Sequence, residues 1–118
     1  MNKIILNVDY KFTYPEGVEK PSPEKSEKES AELSKSYIEY AVTGHYKDGL
    51  NSQFRRTFAN IQNRMDQAIA SKEYFFEVNP IEYNFIHEAF TSANTKFVAA
   101  VAKYVVAFED ANFGSSNA

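Results

Sequence analysis

Between Ile4 and Tyr14 the chain alternates without interruption. Ile4, Leu6, Val8, Tyr10, Phe12 and Tyr14 fall on one side, and Lys3, Ile5, Asn7, Asp9, Lys11 and Thr13 on the other. A period of two is the period of an extended strand with one face against a core. It therefore demands a sheet in a chain whose remaining apolar residues mostly recur at helical spacing. A second, shorter alternation, Tyr74, Phe76 and Val78 against Phe75, Glu77 and Asn79, supplies the expected partner strand. Strands usually run about 5–6 residues, so the first segment is expected to outrun its partner or to curl.

The stretch PEGVEKPSPEK, residues 15–25, carries three prolines, one glycine and five charges, and reads as an exposed loop. Ser22 followed by Pro23 is a helix start, and Ser26 with Glu29 offers a second one as a capping box. The first helix is expected to reach about Val42, with Leu33, Tyr37, Ile38, Ala41 and Val42 inward and Gly44 as its C-cap. After the Lys47-Asp48-Gly49 turn, a second helix over about 50–70 shows the best-phased apolar stripe: Leu50, Phe54, Phe58, Ile61, Met65, Ala68 and Ile69. Asn79, Pro80 and Glu82 begin a third helix, with Ile81, Phe85, Ile86, Ala89 and Phe90 along its apolar side. A break at 91–94 leads to a fourth helix, about 95–111, apolar around most of its circumference except for the stripe of Lys96, Lys103 and Asp110.

These elements predict an α+β fold. A long N-terminal strand pairs with a short mid-chain strand, and four helices arranged as two hairpins cover them. Residues 1–113 are expected to form a single domain and 114–118 a disordered tail. Ile38-Glu39-Tyr40 recurs as Ile81-Glu82-Tyr83, and Asn51-Ser52-Gln53-Phe54 aligns at the same offset with Asn94-Thr95-Lys96-Phe97. This suggests that the two helical hairpins share a common build.

At 118 residues and 43% apolar the chain can bury a core without covalent staples. It contains no cysteine, which excludes disulfides and thiol chemistry. The longest apolar run, interrupted by Lys103, falls short of the ~20 residues that cross a bilayer. With no signal-peptide pattern at the N-terminus, the expectation is a soluble, cytoplasmic protein without membrane contact.

The net charge is −3 but unevenly spread. Residues 15–32 hold six glutamates against three lysines, whereas residues 50–72 hold Arg55, Arg56, Arg64 and Lys72 against Asp66 alone.

Neither His45 nor His87 has a further ligand four residues away, a spacing metal sites often use. Glu82 reads as a helix-start residue, and Glu73 and Glu77 flank an aromatic strand. Four glycines in all leave no phosphate-binding loop. Neither a catalytic residue nor a cofactor or metal is expected. Only a polar pocket joining two or more of His45, His87, Glu82 and Glu88 would argue for an enzyme.

What remains is recognition. Tyr46, Lys47, Arg55, Arg56, Asn60 and Arg64 are candidate partner contacts. Phe97, Val101, Tyr104, Val105 and Phe108 of the fourth helix are candidates for self-association. The expectation is a non-catalytic protein-binding module that forms homo-oligomers: a small adaptor, inhibitor or assembly subunit of phage or mobile-element type. The edge of the 4–14 strand is a further pairing surface. The alternative is nucleic-acid binding through Lys47, Arg55, Arg56, Asn60, Arg64 and Lys72.

Overall fold

The computed structural model describes residues 2–114. The expected tail at 115–118 lies outside the described residues. Strand β1, Asn2–Ile5, pairs antiparallel with β2, Phe75–Val78, placing Ile4 opposite Phe76 and Ile5 opposite Phe75. The Leu6 N–H adds one more bond to the Tyr74 carbonyl, at 2.8 Å. The fold is α+β, as the alternating segments predict.

Only the first part of the long alternating segment is hydrogen-bonded as a strand, because β2 is short. It is confined between the turn after the second helix and the Asn79 cap of the third. The alternation nevertheless persists beyond the ladder, with Leu6, Val8 and Tyr10 buried and Phe12 half-buried. A helix takes over as hydrogen-bonding partner there. Ser34, fully buried, donates to the Leu6 carbonyl at 2.6 Å. Its proton being used, the serine oxygen takes its second bond from the Tyr10 hydroxyl at 3.0 Å.

Helix α1, Pro23–His45, is capped by the Ser22 hydroxyl. It runs through Gly44 instead of ending there. A Cβ at Gly44 would stand 3.3 Å from both the Cα and the Oγ1 of Thr95, while the Thr95 hydroxyl donates to the Ala41 carbonyl. This glycine serves close backbone approach, not chain reversal. In the turn that follows, the glycine with a positive φ is Gly49, at +101°.

Helix α2, Ser52–Ala70, begins at an Asn51 cap and buries Ile61, Met65 and Ala68, with Phe54, Phe58 and Ile69 packed partly against the core. Helix α3, Pro80–Thr91, starts with a full capping box: Asn79 accepts from the Glu82 N–H, and Glu82 accepts from the Asn79 N–H. It lies along α1 over a longer stretch than α2 does.

The last helix departs most from expectation. Residues 95–98 are non-helical, a 3-10 turn spans Ala99–Val101, and α4 covers only Ala102–Phe113. The cause is Phe97. Its ring sits 4.9 Å from Tyr40, 5.6 Å from Tyr37 and 5.9 Å from Phe90, centroid to centroid. An extended backbone delivers it there, and aromatic burial outweighs a continuous helix. The Asn94 position thus does not cap a helix as Asn51 does, so the apparent repeat is not carried into the second half at this point.

Candidate functional site

Three surfaces have the residues to do something, and they differ in what they offer. The first is apolar. Ser36, Tyr37 and Tyr40 on α1 and Phe97, Val98 and Val101 on the following segment line a cleft of about 230 Å³. Tyr40 is 50% and Val98 67% exposed, and the two stand side by side on this cleft. The Tyr40 hydroxyl donates to the Lys96 carbonyl at 2.7 Å while its ring packs on Phe97. The exposed ring is therefore fixed at both ends.

Beneath the cleft, Tyr37 is buried and its hydroxyl has no hydrogen-bond partner among the described residues. Burial, reinforced by the neighbouring Tyr104, raises its pKa above the ordinary tyrosine value.

The second surface is the groove between α1 and α2, about 540 Å³, lined by Lys28, Glu32, Lys35, Asp66 and Tyr74 among others. Its walls are joined by the Lys35–Asp66 ion pair, and Gln62 donates to Glu39 nearby. Charges of both signs that neutralise one another across a groove leave little net field for a charged ligand.

The third lies between α3 and α4. His87 stacks on Phe113 at 4.7 Å, with Thr91, Val106, Glu109 and Asp110 around a cleft of about 300 Å³. Burial and the adjacent Asp110 push the Glu109 pKa up, partly offset by His87. His45 is elsewhere, with its ring against Tyr46 at 4.4 Å. Among the described residues none of these three clefts is lined by two of His45, His87, Glu82 and Glu88.

The basic face of α2 is rearranged by its neighbours. Arg64 makes a two-pronged contact with the Glu82 carboxylate and also donates to the Glu77 carbonyl at 2.8 Å. Lys72 pairs with Glu24, and Arg55 donates to the Leu50 carbonyl in its own chain segment. Lys47, Arg56 and Asn60 remain exposed. Tyr46 is half-buried, stacked on Phe85 at 5.4 Å and beside Phe54 at 5.2 Å, as part of an aromatic layer under α2.

Of the fourth-helix residues, Val105 and Phe108 are inside the chain's own core, and Tyr104 packs edge-on against Tyr10. Phe97 and Val101 are half-buried at the margin of the apolar cleft. Tyr40 and Val98, which line the same cleft, are not among the residues that the sequence singles out. Tyr40 adjoins the inward stripe of α1, and its exposure depends on a segment 56 residues away.

Comparison with protein-family models, with curated proteins and with solved structures returned no match. Among the described residues no helix is long and apolar enough to cross a membrane.

Proposed function

We propose that this protein is a non-catalytic protein-interaction module. It presents Tyr40, Phe97, Val98 and Val101 to a partner, and a second copy of itself is the first partner. The observation that carries this reading is the double anchoring of Tyr40, whose hydroxyl is bonded to Lys96 and whose ring is held on Phe97. Covering a side chain that is already immobile costs little conformational entropy, so less of the gain from apolar burial is lost to ordering. Tyrosine rings on rigid supports are also the residues that interfaces favour.

A nucleic-acid role has less behind it. Of the six side chains it would use, Arg64 and Lys72 are ion-paired within the chain and Arg55 is tied to its own backbone. The separating experiment compares self-association of the wild type and Val98→Lys by sedimentation, alongside binding to a mixed-sequence DNA duplex. Loss of self-association in the variant supports the protein-binding reading. Tight, salt-dependent duplex binding that Val98→Lys leaves untouched favours the other.

A further inference from the structure

A two-stranded sheet has two open edges, and open edges invite pairing with another chain. Here each edge is met by a side chain. On the β2 side Arg64 donates to the Glu77 carbonyl. On the β1 side the carboxamide of Asn112, in the last turn of α4, does more. Its Oδ1 accepts from the Ile5 N–H at 2.5 Å, and its Nδ2 donates to the Ile5 carbonyl at 3.0 Å and to the Phe108 carbonyl at 3.1 Å. Acceptor and donor presented side by side to the N–H and C=O of one residue reproduce what a neighbouring antiparallel strand offers at a hydrogen-bonded pair. The carboxamide of Asn or Gln carries an acceptor and a donor side by side on one planar group.

We propose that Asn112 is a stand-in for a third strand, and that the edge it covers is a latent pairing site for β1 of a second copy of this chain. The inference rests on the sheet edge alone and is independent of the Tyr40 surface. The bond from Leu6 to Tyr74 shows that the even-numbered residues of β1 face β2, which leaves the N–H and C=O of Lys3 and Ile5 on the outer side.

A second β1 running antiparallel about Ile4 sets Lys3 opposite Ile5 of the copy, and Ile5 opposite its Lys3. No like charges meet in this register. Pairing Lys3 with Lys3 would oppose two ammonium groups. The Lys3 ammonium is in any case drawn over the Phe75 ring, 4.7 Å from its centroid, on the side of β2. β1 contains no proline, Ile5 is 39% exposed, and extending a two-stranded sheet to four strands relieves its marginal stability. The last turn of α4 must swing aside for the copy to enter, and the Asn112 contact with Ile5 opposes that movement.

The test uses the full chain in a Val98→Lys background, which removes the apolar surface from consideration. Asn112→Asp keeps the shape but sets a carboxylate oxygen against the Ile5 carbonyl, and Asn112→Ala removes both bonds. Sedimentation velocity across micromolar concentrations is read together with amide hydrogen exchange at Ile5.

The expected result is self-association strengthened by roughly tenfold or more in both variants, the scale of one lost competing hydrogen-bond pair. In Asn112→Ala, which also loses the acceptor of the Ile5 N–H, that amide should exchange quickly when dilute and become protected as concentration rises. Adding Lys3→Pro, which deletes an outward N–H and leaves the bonds to β2 intact, should abolish the association. Variants that remain monomeric with an unprotected Ile5 amide, or that associate regardless of Lys3→Pro, overturn the proposal. Near-ultraviolet circular dichroism confirms folding, and if Asn112→Asp loses it, Asn112→Ala decides alone.

Discussion

The Arg64 guanidinium grips both carboxylate oxygens of Glu82, and through that one residue it ties α2 to the first turn of α3. Glu82 is only 6% exposed and also closes the capping box on Asn79. Three structural demands thus meet on one side chain. Burial opposes its charge, yet the hydrogen bonds from Arg64 and from the Asn79 N–H, together with the Arg64 charge, hold its carboxyl below the usual range.

Removing one partner strands the other, so Arg64→Ala and Glu82→Ala should each destabilise the fold by about 2–3 kcal/mol. Glu82→Gln, which can still close the capping box, should cost about half as much. Chemical denaturation checks the order.

The pH dependence has a definite sign. A carboxyl whose folded pKa is depressed contributes stability above its unfolded pKa, and that contribution disappears as pH falls through the folded value. The wild type should therefore lose stability below about pH 4.5. In Arg64→Ala that acid limb should be shallower, because burial then acts with less compensation. Denaturant midpoints measured from pH 7 to pH 3 would show the difference.

Tyr10 behaves in the opposite sense. Burial is the main cause that raises its pKa to about 12, and Tyr37 adds to the rise. Its folded pKa lies above the unfolded value, so its contribution is complete below about pH 10 and fades as pH rises toward 12. The loss should reach on the order of 2 kcal/mol. Ultraviolet titration should show Tyr10 ionising among the last tyrosines, and Tyr10→Phe should flatten the alkaline limb.

Gly44 packs so closely against Thr95 that a Cβ there would press on its neighbour by a few tenths of an ångström. Gly44→Val should destabilise by about 1–3 kcal/mol through overpacking, despite better helix propensity than glycine. Gly49→Ala meets no neighbour but must hold a left-handed φ, costing about 1 kcal/mol. Thermal melts of the two variants separate contact from conformation.

Much of the fold was legible because it rests on local patterns. The alternation from Ile4 to Tyr10, the stripe of α2 and the Asn79–Glu82 start each depend on residues within a few positions of one another. The rest depends on groups distant in sequence. Nothing near Arg64 announces Glu82, nothing near Asn112 announces Ile5, and nothing in the helix-like run from Thr95 to Val101 reveals that Phe97 has an aromatic slot to fill. The basic face looked unpaired for the same reason, since its counter-charges come from α1 and α3. The Tyr40 surface escaped notice because apolar spacing reports which face a helix turns inward, not where two elements leave that face uncovered.

The most direct measurement for the proposed role is sedimentation equilibrium of the wild type and Val98→Lys over about 1–100 μM, the range of weak, reversible association. The account predicts a monomer–dimer equilibrium in the wild type, weakened by roughly tenfold or more in the variant. Stability should be unchanged within about 0.5 kcal/mol, since Val98 is a surface residue. A wild type that stays monomeric throughout, or an association that Val98→Lys does not alter, contradicts it.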